Sequence, residues 1–265
     1  MEVYFMIAIN PYRFPESSMK FSSFQIVKDK LSVLVDYIRA FVKDLGAFVL
    51  RVVTYPFSLS DKRPKVVKEK TPILFLHGFA DRSSAWIFYR WYFARKGYSV
   101  HFLNFGSPFH SIEEYGARVK EKAEQIAKES GTDQLNIVGH SMGGLVASYY
   151  ATDLAPAASV KKIVTLGTPL VGTRVASLGV ALRLGKCTKQ MLFQSPFVLD
   201  QNQKNEASKT QFYHFAGVGD LFIQPNDSAL GLNRNATHVN FRGMGHISFL
   251  YSRRALKQVL KALKA

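Results

Sequence analysis

At 265 residues, with 47% hydrophobic and 20% charged residues, the chain has the balance of one globular domain large enough to bury a continuous core. A single cysteine, Cys187, excludes an intramolecular disulfide, and with no ligand spacing among the histidines and acids it argues against a structural zinc site. Lysine and arginine outnumber aspartate and glutamate 35 to 19, and the net charge of +16 favours anionic partners such as a phospholipid surface; no nucleic-acid module accompanies the charge.

The opening "MEVYFMIAINPY" is apolar but carries Glu2 and no lysine or arginine, so it lacks the basic region of a secretory signal, and a cytoplasmic or peripheral membrane location is expected. From Phe24 to Phe57 charges recur too often for one apolar span across a bilayer. The spacing predicts an amphipathic helix. Leu31, Leu34, Ile38, Leu45 and their neighbours share one broad face, opposite Lys28, Asp36, Lys43 and Asp44. Two readings stand: the apolar face packs on the chain's own domain, or it lies in a membrane interface with Lys28, Lys30, Arg39, Lys43 and Arg51 near anionic headgroups. Ser58 to Lys70 reads as a polar, basic connector, so residues 1–70 form an N-terminal segment and residues 71–265 the main domain.

From Thr71 onward apolar runs alternate with helical patterns, the signature of an α/β fold with a mostly parallel sheet and helices on both faces. Strands are expected at Ile73–Leu76, Ser99–Asn104, Leu135–Val138, Lys162–Leu166, Gln211–Ala216 and His238–Phe241. Helices are expected near Ser84–Lys96, Ile112–Ser130, Gly143–Asp153 and Ser252–Ala262. In such sheets reactive groups gather on loops at the carboxyl ends of the strands.

The third strand runs into Gly139-His140-Ser141-Met142-Gly143-Gly144 and then a helix. A turn that reverses the chain straight from strand to helix needs small neighbours, and it leaves Ser141 exposed at the apex beside a helix N-terminus. Serine attacks only when a base takes its proton and an acid orients that base. Strand-end loops supply Asp220 and His246, in the chain order Ser141, Asp220, His246. Asp227 in the same loop is the rival acid. His140 is expected to point away from the apex, and His77, His101, His110, His214 and His238 to serve structure.

Together with His77-Gly78-Phe79 and Leu166-Gly167-Thr168-Pro169, these motifs resemble those of bacterial-type lipases and esterases of the α/β-hydrolase family, across the segment from Thr71 to the C-terminus. The resemblance implies an oxyanion hole built from the backbone N–H groups of Phe79 and Met142. It also places a lid between about residues 170 and 209, where Leu170, Val175, Leu178 and Leu182 would bind acyl chains and Arg174, Arg183, Lys186 and Lys189 would face outward. A histidine often follows the Pro of this motif in such lipases; here the position is Leu170. The expected function is hydrolysis of carboxylic esters, of lipid or long-chain acyl type, without metal or cofactor. Short-chain carboxylesterase, acyl thioesterase and acyltransferase activities remain alternatives, as does a non-catalytic lipid-binding protein. The oligomeric state is not legible.

Overall fold

The computed structural model describes residues 23–57 and 70–265, with side chains from Lys30 onward in the first stretch. The opening "MEVYFMIAINPY" and the connector up to residue 69 lie outside the described residues.

Six strands, β1 (Ile73–Leu76), β2 (Val100–Leu103), β3 (Leu135–His140), β4 (Val160–Leu166), β5 (Gln211–Val218) and β6 (Thr237–Arg242), form one sheet in the order β2-β1-β3-β4-β5-β6. Every neighbouring pair is parallel. Parallel strands covered on both faces need apolar residues at consecutive positions, and their side chains alternate between the faces. Leu74 and Leu76 of β1 accordingly join Ile137 and Ile163 in one core, closed by Tyr115 and Val119 of α3 (Ile112–Ser130) and Leu145 of α4 (Met142–Tyr149). Ile73 and Phe75 join Val138 and Val164 in the other. That core is closed by Tyr89 and Phe93 of α2 (Ile87–Arg95) and Val259 of α8 (Arg253–Lys264).

Helix limits follow local chemistry. Ser111 and Glu114 make a reciprocal capping box at the start of α3, and Gly131 at φ 68° ends it in the left-handed region. Between β4 and β5 the chain forms α5 (Ala176–Ala181), α6 (Lys186–Gln190) and α7 (Pro196–Ala207).

The N-terminal helix α1 (Ser23–Thr54) packs on the domain, as one of the two readings expected, but with the opposite side turned inward. Asp36, Ala40, Ala47 and Arg51 are buried, whereas Leu34, Ile38, Phe41, Leu45 and Val49 are exposed. Its contacts with the domain are largely polar. Asp36 accepts from Arg242 Nε at 2.6 Å, Tyr37 Oη donates to Asn226 Oδ1 at 2.9 Å, and Lys43 Nζ donates to the Gly243 carbonyl at 2.6 Å. Arg51 Nε donates to Asp81 at 2.6 Å.

A crowded junction lies between β3 and α4. A Cβ on Gly143 would stand 2.3 Å from the Leu76 carbonyl oxygen, and one on Gly139 would stand 2.5 Å from the Gly144 nitrogen. Backbone cannot yield at such distances. Ser141, between them, is held at φ 54° and ψ −128°, a region sparsely populated by residues with a side chain.

Gly143→Ala should therefore destabilise the fold by about 2 kcal/mol or more, or prevent soluble expression, because it forces two backbones apart. Gly46→Ala on α1, where nothing lies within 4 Å of the added carbon, should instead stabilise by roughly 0.5–1 kcal/mol. Thermal or urea unfolding of the two variants checks the pair.

Candidate active site

The apex residue Ser141 opens onto a cavity of about 660 Å³ that His246, Phe79 and Gly78 also line. It stands at the carboxyl end of β3, its N–H donating to the Leu166 carbonyl of β4 at 3.0 Å. Met142 begins α4, so its N–H is one of the first-turn amides that a helix leaves without an internal acceptor. These amides and the helix dipole favour negative charge beside the serine.

Asp220 follows β5, and His246 follows β6 at the start of a short 3-10 turn, Ile247–Tyr251. His246 Nδ1 lies 2.8 Å from Asp220 Oδ2. The other carboxylate oxygen accepts from the N–H groups of Phe222 at 2.8 Å and Ile223 at 3.0 Å. These bonds fix the carboxylate and leave one oxygen for the imidazole. The aspartate is 1% exposed, whereas Asp227 is exposed in the 3-10 turn Asn226–Leu230, so Asp220 is the acid brought to His246. Gly167 makes room for this pair: at φ 54°, an added Cβ would come within 3.0 Å of Asp220 Oδ2 and 3.3 Å of His246 Nδ1.

Burial acts to lower the His246 pKa, but the charge and hydrogen bond of Asp220, aided by Asp44 and Asp81, outweigh it and hold the pKa above the ordinary histidine value. The ring is thus equipped to gain a proton during a reaction. Phe222 lies over it, centroid to centroid 5.1 Å.

Two other histidines hold backbone. His77 Nε2 accepts from the Phe105 N–H at 3.1 Å, which places its proton on Nδ1, 2.8 Å from the Gly78 carbonyl. In a trans peptide the carbonyl and the following N–H point oppositely. Anchoring the Gly78 carbonyl on His77 therefore turns the Phe79 N–H the other way. His140 Nε2 donates to the His246 carbonyl at 3.0 Å, and burial pushes its pKa well below the usual value, so it stays neutral. The His140 ring lies beside His246, centroid to centroid 4.7 Å, and lines the same cavity as Ser141, where pointing away from the apex was expected.

Helix α1 contributes residues that sequence reasoning did not place at the site. Asp44 accepts from the His246 N–H at 2.7 Å and the Ser248 N–H at 2.8 Å, bracing the histidine loop. Arg51 forms an ion pair with Asp81 and donates to Ser84 Oγ at 3.2 Å, bracing the loop that carries Phe79. Phe48, Val52 and Tyr55 line the cavity mouth.

Of the residues expected to contact an acyl chain, Val175, Leu178 and Leu182 line the cavity, joined by Leu184 and Met191. Leu170 does not. It is 1% exposed, packed in the core against Gly231, because the chain after Pro169 turns that side chain down beneath the cavity floor. Arg174, Arg183, Lys186 and Lys189 are exposed, as expected. Cys187 is fully buried, with its thiol pKa pushed up to about 11 by burial, which leaves it inert as a nucleophile.

The sequence matches the α/β hydrolase fold family over residues 71–218. Among solved structures, the mature form of a Bacillus licheniformis lipase aligns with a TM-score of 0.62 at 20% identity, covering 76% of this chain and 94% of that one. Aspergillus fumigatus lipase B aligns with a TM-score of 0.62 at 15% identity over 76% of this chain and 54% of that one. MenH from S. aureus aligns at 0.52 and 16% identity over 76% and 96%. At these identities the structures share the fold, and the family match spans more than half the chain. With its parallel sheet, its nucleophile-type turn and the family match, the chain belongs to the α/β-hydrolase family.

Proposed function

We propose that this protein is a serine hydrolase that cleaves carboxylic esters with long acyl chains through an acyl-enzyme. The observation that carries the reading is the convergence of Ser141 and the Asp220–His246 pair on one cavity whose walls are mainly apolar.

In this mechanism Ser141 Oγ attacks the ester carbonyl carbon while His246 Nε2 takes the hydroxyl proton, and Asp220 stabilises the imidazolium. The carbonyl oxygen gains the charge, and the N–H groups of Phe79 and Met142 would donate hydrogen bonds to it. Collapse breaks the bond to the alcohol oxygen, and the proton on His246 leaves with the alcohol. Water then repeats the attack on the acyl-serine, giving its proton to His246, and the acid departs as Ser141 recovers its hydrogen.

The cavity argues for the substrate class. Leu178 and Leu182 line it together with Phe48 and Val52 of α1, a lining suited to an alkyl chain and poor for a polar group. The α5–α6 segment acts as a lid in this reading.

Ser141→Ala should lower ester turnover by about 10³-fold or more and abolish fluorophosphonate labelling. Ser141→Gly should be equally inactive yet melt at a higher temperature than Ser141→Ala, by about 1 kcal/mol in stability, because glycine releases the strained φ of 54°. Retained labelling in either variant would move the nucleophile elsewhere.

Asp220→Asn should reduce turnover by about 10⁴-fold and Asp227→Asn hardly at all, compared by steady-state kinetics on folded protein. Across p-nitrophenyl esters of graded length, kcat/KM should rise toward long chains; a preference for acetate would contradict the long-chain assignment.

The base must be neutral to act, so kcat/KM should fall as pH drops through the His246 pKa. That pKa is raised, so the acid limb should lie above the midpoint of an ordinary histidine, about 6.5. Removing a carboxylate that favours the imidazolium, as in Asp44→Asn, should move the limb to lower pH. A pH–rate profile of both proteins measures the shift.

A further inference from the structure

Among the described residues, the inverted packing of α1 leaves a broad apolar surface open. Leu34, Ile38, Phe41 and Leu45 are each more than half exposed and form one stripe along the helix with Phe48, Val49 and Val52. A water-facing stripe of this size needs an explanation, since monomers rarely present large contiguous apolar patches. The helix is not held this way for want of a better option: an aspartate pair, Asp36 and Asp44, and Arg51 fasten its other side to named partners on the domain. The open side is therefore the side the fold makes available.

Two observations identify its occupant. The first is continuity with the active site: Phe48 and Val52 belong both to the exposed stripe and to the wall of the Ser141 cavity. Leu178, Leu182 and Phe222 line the same cavity and are likewise exposed. The second is charge. Lys30 and Arg39 of α1 are both exposed. Arg174, Arg183 and Lys189 are exposed on the segment after β4, where Lys186 pairs with Glu114, on a chain of net charge +16. Apolar side chains accompanied by cations match the acyl layer and headgroups of an anionic membrane. Among the described residues no helix is long and apolar enough to cross a bilayer, so α1 would lie along the surface.

We propose that the outward face of α1 docks this enzyme on an anionic lipid bilayer, with the mouth of the Ser141 cavity set against the membrane. Docking in that orientation gives an acyl chain a continuous apolar path from the bilayer between Phe48 and Leu178 to the serine. The inner face of α1 meanwhile keeps the histidine and oxyanion loops in place through Asp44 and Arg51. The surface supplies the substrate for the esterase reading and rests on that reading only for delivery; adhesion itself needs no turnover.

The test uses the full chain and vesicles of phosphatidylcholine with or without phosphatidylglycerol, read by co-sedimentation, beside hydrolysis of a soluble short-chain ester. Binding should be stronger to the phosphatidylglycerol vesicles and should weaken in high salt, because headgroup attraction is screened over about 8 Å at physiological ionic strength. The triple variant Leu34→Ser, Ile38→Ser, Phe41→Ser should bind vesicles roughly a hundredfold more weakly, keep its melting temperature, and hydrolyse the soluble ester as before. Lys30→Gln with Arg39→Gln should remove part of the preference for anionic vesicles. Ser141→Ala should bind vesicles fully, which separates failure of docking from failure of the ester chemistry. Undiminished binding by the triple variant would overturn the proposal, as would wild-type protein that ignores both kinds of vesicle. A wild-type dimer that the triple variant loses, with no vesicle binding by either, would overturn it in favour of a second copy on this face.

Discussion

The site depends first on a backbone collision that is narrowly avoided. β1, β3 and the first turn of α4 meet so closely that only hydrogen fits on Gly143 against the Leu76 carbonyl. This contact forces the chain to turn within a single residue, and Ser141 takes the strained conformation that results. A relaxed loop there would let the hydroxyl fold back onto its own backbone. The tight turn instead holds it at the carboxyl end of the interior strand β3, with α4 behind it. The loops that carry Phe79, Asp220 and His246 each follow a strand of the same parallel sheet, so their relative positions are set by strand pairing.

A second tier of contacts keeps these loops from drifting. His77 fixes one peptide of the loop after β1 and His140 the carbonyl of His246, both as neutral rings whose burial disfavours charge. Helix α1 adds a clamp from outside the sheet, its Asp44 on the His246 loop and its Arg51 on Asp81 of the loop after β1. One helix thus touches both halves of the site with its polar side and presents its apolar side outward. Its amphipathicity serves two surfaces of different chemistry.

Much of this was legible in the sequence because the signals are local. Buried parallel strands read as apolar runs, and the six expected strands match the observed ones to within a residue or two at most ends. The tight strand-to-helix turn at Ser141 was legible from its glycines, and the placement of Asp220 and His246 from the strand-end loops. The choice between Asp220 and Asp227 was weaker, since seven residues of loop can turn either carboxylate inward. The Phe222 and Ile223 amides decide it. Leu170 was misplaced because periodicity does not extend through an irregular segment after proline. For α1, the helical period told which residues share a face but not which face turns inward. The usual expectation, apolar side in, fails because Asp36, Asp44 and Arg51 find partners about 30 to 206 positions away in sequence. Ala40 and Ala47, small residues on that same polar side, were the one local hint of close packing.

The central claim is that an acyl group passes through covalent attachment to Ser141. Incubating the protein with a long-chain p-nitrophenyl ester, quenching in acid within the turnover time and mapping peptides by mass spectrometry tests it directly. The account predicts an acyl mass on the peptide that contains Ser141, absent in Asp220→Asn quenched at the same time. An acyl mass on any other residue, or product formed while that peptide stays unmodified at every quench time, would contradict it.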